Sequence, residues 1–243
     1  MTDAADAGGF QGFRSEALQF LADLADNNDR DWFKPRKGEY DQLIKEPLEA
    51  LCVALAARFA DLCLPLVADP KKSPFRIYRD VRFSKDKSPY KTWQGADFPW
   101  IDSNADGARP RGAVGGYFHF SPGDIFVGGG MWHPERERLA AFREKVDRDP
   151  NGVLKAIEDE RFRSVFGSVT GESLTRNPKG FPKDHPYAHL LRLKDVVFSR
   201  RLSDQDVLSP DLPDTIANDL DAAKPVLRYL DELAGPAPEP DER

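Results

Sequence analysis

Leucines recur at helical spacing near the start of the chain, at positions 18, 21 and 24. This spacing predicts a helix from about Ser15 to Ala25, with Ser15 as its N-cap. A second helical stretch is predicted from about Lys37 to Leu62, because its apolar positions also fall on one face. Proline cannot donate its amide to the helical hydrogen bonds, so Pro47 should kink or restart this helix.

The middle of the chain changes to the period of two that is typical of strands. Phe75 to Ser84 alternates between apolar and polar side chains and is rich in β-branched and aromatic residues, so it is predicted to be a strand. Residues 116–121 and 125–130 are predicted to form a hairpin, because Pro122-Gly123 suits a type II turn between them. Val196 to Arg201 alternates in the same way.

Helical periodicity returns in the second half of the chain. Helices are predicted from Pro134, over about Pro150 to Phe166, from His185-Pro186 through Leu191, and from Ser209-Pro210 with a kink at Pro225. This order predicts an α+β fold with a mainly antiparallel central sheet flanked by N- and C-terminal helices. We expect a single domain over residues 10–234, with disordered segments at 1–9 and 235–243.

Composition and cysteine usage restrict the class of protein. The 243 residues include two cysteines and no apolar run long enough to cross a membrane. Met1 to Gly9 carries no basic, apolar leader. These features predict a cytoplasmic protein with no membrane partner, no disulfide framework, no metal site and no cofactor. They leave the oligomeric state open.

The charge of the chain is distributed unevenly. The stretch from Lys71 to Lys91 contains eight basic and two acidic residues, a net of +6, whereas the whole chain carries −6 and the remainder therefore −12. A local positive field on an acidic protein indicates a confined anion site rather than a broad surface for nucleic acid. A nucleic-acid partner is possible but is not indicated by the net charge.

The predicted strand from Phe75 to Ser84 would place Arg79 among apolar neighbours on one face. A buried charge is costly unless it is paired, so Arg79 needs a carboxylate, a set of carbonyls or a bound anion. Because Asp80 would point to the other face, the expected partners come from the acidic helices: Asp23, Asp26 and Glu39.

The other face of that strand and the loop after it present a dense set of polar groups. Arginine offers a planar fork for phosphate or carboxylate, and lysine a mobile point charge. The candidate anion-binding residues are Arg76, Arg79, Arg82, Lys87 and Lys91, and the candidate proton-transfer residues are Asp80 and Tyr90. The alternative is a structural or solubilising role for most of these charges.

The same residues carry a resemblance to a known family. The pattern R-x-x-R-D-x-R-F followed by D/N-K-x-x-Y, here Arg76 to Phe83 and Asp86 to Tyr90, resembles the bacterial and fungal domain-of-unknown-function family 2461. The resemblance extends to Asn28 through Trp32-Phe33, to Gly128-Gly129-Gly130-Met131-Trp132 with Pro134, and to Pro178-Lys179-Gly180-Phe181 with His185-Pro186. It implies that these positions belong together, and it implies no activity.

Several other residues are weaker candidates. Gly128 to Gly130 is interpreted as a tight turn between a strand and a helix, since it matches neither a dinucleotide fingerprint nor a P-loop. His119 is either a partly buried structural histidine or a general base. His185 and His189 lack the glutamate of a zinc motif. Trp93, Phe98 and Trp100 either stack on bases or pack the basic loop onto the core.

Three functions remain open at this point. The first is an enzyme that acts on a phosphate-bearing small molecule or nucleotide. The second is a non-catalytic binding module for a nucleic-acid end or an acidic protein partner. The third is an interaction protein in which an Arg/Asp network holds the sheet together.

Overall fold

The computed structural model describes residues 9–101 and 114–233. The first helices are α1 (Ser15–Asp26), α2 (Arg30–Tyr40) and α3 (Glu46–Asp61), with a π-helical turn (Asp41–Lys45) between the last two. The strands are β1 (Gln94–Pro99), β2 (Gly115–Ser121), β3 (Asp124–Met131) and β4 (Val196–Arg201). The later helices are α4 (Arg136–Arg148), α5 (Pro150–Ile157), α6 (Glu160–Phe166), α7 (Ala188–Leu191), α8 (Asp204–Leu208), α9 (Leu212–Ala222) and α10 (Lys224–Glu232).

The four strands form one antiparallel sheet in the order β1-β2-β3-β4. Helices precede and follow these strands along the chain, which confirms the predicted α+β fold. In the part of the chain that the structure describes, no helix is both long and apolar enough to cross a membrane.

The chain divides into two compact units. The first contains the residues up to Phe98, together with Tyr117–Val127 and Arg201–Asn218. The second contains Pro99–Gly116, Gly128–Arg200 and the residues from Asp219 onward. A single domain over residues 10–234 stays a prediction. The predicted disorder at 1–9 and 235–243 lies outside the described residues, apart from Gly9, which is exposed.

The core of the first unit is built from the apolar faces of its helices and from one face of β2. Phe118 and Phe120 are fully buried, and the ring of Phe120 stacks on Phe13 at a centroid distance of 4.5 Å. Leu51 and Leu55 of α3 are also fully buried. Removing each such side chain from water contributes about 1.5–3 kcal/mol, so the helical face predicted from the sequence stabilises this unit.

The helices differ from the predictions at their ends. Arg14, not Ser15, is the N-cap of α1, and the Ser15 hydroxyl donates to the Glu16 carboxylate instead of capping the helix. The predicted helix from Lys37 already begins at Arg30, where the Asp29 side chain accepts from the Trp32 amide. The chain restarts its helix near Pro47, one of the two predicted alternatives. It first widens into the π turn, where the Glu46 amide donates to the carbonyl of Asp41, and Pro47 then falls in the first turn of α3, where no donor is needed.

The predicted hairpin is present. β2 and β3 are joined through Pro122-Gly123, and Gly123 has a φ of +73°, the left-handed conformation that a type II turn requires at that position. The predicted strand at 196–201 is also confirmed as β4.

The second unit contains shorter helices than the sequence predicted. α4 begins at Arg136, because Glu135 still has an extended backbone. The single helix expected over Pro150 to Phe166 is two helices, α5 and α6, and the Asp159 side chain caps the second by accepting from the Phe162 amide. The last long helix is likewise divided into α9 and α10, on either side of Ala223.

Candidate functional site

The segment from Phe75 to Ser84 is not the regular strand that the sequence predicted. It pairs with the chain only through isolated bridges, Pro74 with Ala96 and Tyr78 with Tyr90. The Arg79 amide donates to the Pro89 carbonyl at 2.9 Å. Proline has no amide to return, so a continuous ladder cannot form at this position. The bridge between Tyr78 and Tyr90 therefore closes a loop over residues 80–88.

The exposure of the side chains alternates as predicted, although the segment is not a regular strand. Arg76, Tyr78, Asp80 and Arg82 are exposed, whereas Ile77 is buried and Arg79 is half-buried. The alternation ends at Phe83, which is 96% exposed, because the chain turns there and the Ser84 amide donates to the Val81 carbonyl.

Arg79 is paired, as its position required, but not with the predicted acids. Its guanidinium contacts Asp86, seven residues along the chain, and not Asp23, Asp26 or Glu39. Asp86 also accepts from the Ser88 hydroxyl at 2.6 Å and the Ser88 amide at 2.9 Å. The Ser88 hydroxyl and Arg79 together hold the pKa of Asp86 well below its usual range.

Two more of the candidate cations are engaged within the same loop. Arg82 forks onto the Asp80 carboxylate, with Nε 3.0 Å from Oδ1 and Nη2 2.6 Å from Oδ2. This contact lowers the pKa of Asp80 to about 2. The Lys87 amine donates to the Val81 carbonyl at 2.9 Å. The Arg82–Asp80 ion pair is exposed, so it shapes the loop more than it stabilises the fold.

Lys91 has a different environment. Its ammonium donates to the Arg76 carbonyl at 2.9 Å and lies 5.0 Å from the ring centroid of Phe75 and 4.9 Å from that of Trp93. Burial lowers the pKa of Lys91, and the charge of Arg76 lowers it further. Among residues 9–101 and 114–233, no carboxylate lies within ion-pair distance of Lys91 or of Arg76.

A cavity of about 440 Å³ opens beside Lys91. We call it the Lys91 cavity; it is lined by Ala25, Asn28, Arg79, Asp80, Asp86, Ser88, Tyr90, Lys91, Thr92 and Trp93. Of the residues predicted from the sequence, Arg79, Asp80, Tyr90 and Lys91 are brought together here. Arg76, Arg82 and Lys87 are not in its wall, so two of the five candidate anion-binding residues, Arg79 and Lys91, line this cavity.

Asn28 fixes the position of the cavity wall. Its side-chain amide donates to the Tyr90 carbonyl and accepts from the Tyr90 amide, both at 3.0 Å. The Tyr90 ring stacks on Phe33 at 4.1 Å, and burial raises the pKa of its hydroxyl. The periodicity of the sequence assigned no role to Asn28. The family resemblance, which includes this residue, was the one signal that pointed to it.

The aromatic residues after the loop divide between the cavity and the core. Trp93 lines the cavity and packs against His119 at 5.1 Å and Phe75 at 5.8 Å. Phe98 and Trp100 are buried. Their burial fits the packing alternative, and of these three aromatic residues Trp93 alone lines the cavity.

His119 lies outside the cavity wall. Its Nδ1 is 2.9 Å from the Tyr117 hydroxyl, and its ring stacks on Phe126 at 4.8 Å. Burial lowers the pKa of His119 despite the opposing charge of Asp124. The imidazole is thus a partly buried, hydrogen-bonded group, which fits the structural interpretation.

The other weak candidates lie in the second unit. His185 pairs with Asp147 at 3.4 Å, and no group of three or more potential metal ligands occurs among the described residues. Gly128 to Gly130 does not form the turn before a helix that was predicted. The other prediction, which placed these residues in the second strand of the hairpin, agrees with the structure. These glycines lie inside β3, and a Cβ at Gly128 would be 2.3 Å from the Phe198 carbonyl oxygen. Gly128 and Gly130 allow the backbone of β4 to approach closely, and Gly129 does the same for Gly115 of β2.

A family model described as "Conserved hypothetical protein (DUF2461)" matches residues 16–229. The match spans Asn28, the 76–90 motif and both compact units. No curated protein and no solved structure matches the chain.

Proposed function

We propose that this chain, which belongs to the DUF2461 family of conserved hypothetical proteins, binds a phosphate-bearing small molecule in the Lys91 cavity. The observation that carries the proposal is the pair of cations formed by Lys91 and Arg76. Each lacks a carboxylate partner among the described residues, and the charge of Arg76 disfavours the protonated form of Lys91. A bound anion would relieve this repulsion and stabilise both charges.

The balance of charge around the cavity supports an anion. Asp80 and Asp86 also line the wall, and alone they would repel phosphate. Each is neutralised by an arginine, Asp80 by Arg82 and Asp86 by Arg79. The charge that remains uncompensated is that of Lys91 and Arg76, so the local field stays positive although the whole chain carries −6.

The size and the walls of the cavity suit a small molecule that carries a phosphate. Its volume of about 440 Å³ falls within the range of roughly 300–1,000 Å³ that is usual for ligand pockets. The hydroxyl of Thr92 can donate to a phosphate oxygen, and the ring of Trp93 offers a flat apolar wall. A mononucleotide has both a phosphate and a flat aromatic base.

Phosphate should raise the melting temperature of the protein more than chloride does at matched ionic strength. A ligand that binds only the folded state adds about 2.7 kcal/mol at 100 times its dissociation constant. We expect Lys91→Met to remove the phosphate-specific shift, because the Lys91 ammonium is the cation of the cavity wall that has no carboxylate partner among the described residues. Lys85→Met is the matched control, since Lys85 lies in the same loop, is exposed and does not line the cavity. Differential scanning fluorimetry measures both.

Equal shifts with phosphate and chloride would instead favour a purely structural role for the charges. The same titration is repeated with adenosine monophosphate and with a 5′-phosphorylated oligonucleotide. Comparing the two affinities shows whether the cavity prefers a small molecule or a nucleic-acid end. Tighter binding of the oligonucleotide would favour the alternative of a binding module for a nucleic-acid end.

Catalysis on the bound ligand is the second candidate function. Asp80 lies in the cavity wall and, with its pKa lowered to about 2, is ionised at neutral pH. A carboxylate with so low a pKa is a weak base, so Asp80 would orient an attacking water by accepting a hydrogen bond from it, and the protonated Tyr90 hydroxyl would act as a hydrogen-bond donor. Asp80→Asn should then abolish hydrolysis of p-nitrophenyl phosphate while phosphate still raises the melting temperature. If the wild-type protein does not hydrolyse phosphomonoesters, this second function is wrong and phosphate binding is the only proposed function that remains.

A further inference from the structure

A second cavity, of about 290 Å³, lies in the first unit beside the π-helical turn. Its walls include the side chains of Phe33, Tyr40, Pro74, Phe75 and Ile77. We call it the Tyr40 cavity. Most of these groups are apolar and three are aromatic, so the walls suit a flat ring.

Tyr40 is the polar group that these walls leave without a partner. It is 5% exposed, and its hydroxyl forms no hydrogen bond with any residue in 9–101 or 114–233. Burial raises the pKa of Tyr40 well above its usual range, so the hydroxyl stays protonated. The Tyr40 hydroxyl is not among the described side-chain atoms that are enclosed without a partner, so it opens onto the cavity and is available to bond an oxygen or nitrogen of a ligand.

The edge of the cavity is positively charged. Four cations, Lys37, Lys45, Lys71 and Arg76, stand against two carboxylates, Asp41 and Glu49. Asp41 pairs with Lys37, and Glu49 lies 2.8 Å from Lys71 and 4.0 Å from Lys45. The cations exceed the carboxylates by two, and a ligand with a negatively charged group would offset part of this net positive charge.

The local chain geometry explains why these groups meet. Tyr40 is the last residue of α2, and the π turn begins at the next residue. The extra residue in a π turn rotates the side chains that follow it relative to an α-helix, and such turns are frequent at functional sites. Asp41 and Lys45, both within the turn, line the same cavity as Tyr40.

We propose that the Tyr40 cavity binds a small aromatic carboxylic acid that carries an oxygen substituent on its ring. The carboxylate lies at the cationic edge, the ring contacts Phe33 and Phe75, and the Tyr40 hydroxyl bonds the ring oxygen. The proposal shares Arg76 with the proposed phosphate site, and Arg76 is therefore left unchanged in its test.

The test compares 4-hydroxybenzoate with benzoate, which lacks the ring oxygen, by isothermal titration calorimetry on the full chain. We expect wild-type protein to bind 4-hydroxybenzoate about three to tenfold more tightly, the usual contribution of one hydrogen bond. Tyr40→Phe should bind the two compounds equally. Tyr229→Phe is the matched control, because its hydroxyl also has no hydrogen-bond partner among the described residues but lies outside this cavity; it should keep the wild-type preference.

The charge at the edge is tested in the same way. Lys71 is exposed, so Lys71→Glu should leave the fold intact and weaken the binding of both 4-hydroxybenzoate and benzoate. Neutral 4-hydroxybenzamide should bind to the wild-type protein more weakly than 4-hydroxybenzoate does. The proposal is overturned if wild type binds neither acid, if Tyr40→Phe keeps the preference, or if the amide binds as well as the acid. Failure of the phosphate experiment with Lys91→Met bears on the other site alone.

Discussion

Asn28→Ala is expected to lower the free energy of unfolding by about 2–4 kcal/mol, the loss of two hydrogen bonds together with two backbone groups left unpaired. The Asn28 side chain is the group that satisfies both the amide and the carbonyl of Tyr90. Tyr90 is 5% exposed, so water cannot readily replace these contacts. Denaturant titration by circular dichroism measures the change.

The same substitution should also weaken phosphate binding, because Asn28 and Tyr90 both line the Lys91 cavity. Asn27→Ala is the matched control. Its side chain donates one exposed hydrogen bond to the Asp23 carbonyl, so we expect a cost of about 0.5 kcal/mol and no change in phosphate binding. Equal effects of the two substitutions would mean that the Asn28 contacts neither anchor Tyr90 nor shape the cavity.

The position of Arg79 shows how far the sequence could predict this site. Alternation of polar and apolar residues correctly placed Arg79 on the less exposed face and required a partner for it. The prediction failed on which acid that partner is, because it assumed a straight strand. Over seven residues a strand extends about 23 Å, which would carry Asp86 out of reach. The loop over residues 80–88 instead brings Asp86 back to the Arg79 guanidinium.

The cavity itself depends on contacts that no local pattern encodes. Asn28 and Tyr90 are 62 positions apart, and the uncompensated charge of Lys91 follows from the absence of a described carboxylate near it rather than from any motif. By contrast, α1 and the hairpin follow from periodicity and turn chemistry within a dozen residues. Local patterns therefore predicted these elements, whereas the loop, the Lys91 cavity and the Tyr40 cavity required the tertiary fold.

The glycines of β3 illustrate a second way in which sequence reasoning went wrong. Three consecutive glycines before a helix are typical of a turn or an anion-binding loop, and the prediction was a turn. In the structure they are strand residues whose missing side chains let β3 lie against β4, at Gly128 and Gly130, and against β2, at Gly129. Sequence spacing cannot separate these cases, because a glycine is needed equally for backbone freedom and for close approach.

Gly130→Ala tests this interpretation and should have a large effect on stability. Gly130 has a φ of +115°, and a Cβ there would be 2.2 Å from the Val196 carbonyl oxygen. Both the backbone conformation and the clash oppose any side chain, and backbone atoms of β4 cannot yield as the end of a flexible side chain would. We expect a loss of about 3–5 kcal/mol in the free energy of unfolding, measured by denaturant titration.

Gly123→Ala separates the two causes. Gly123 also has a positive φ, +73°, but a Cβ there would meet no atom within 4 Å. Its substitution should therefore cost only the conformational strain, about 1–2 kcal/mol. If Gly130→Ala cost no more than Gly123→Ala, β4 would have to accommodate a methyl group at Gly130. Contact between the backbones of β3 and β4 would then not be the reason for glycine at this position.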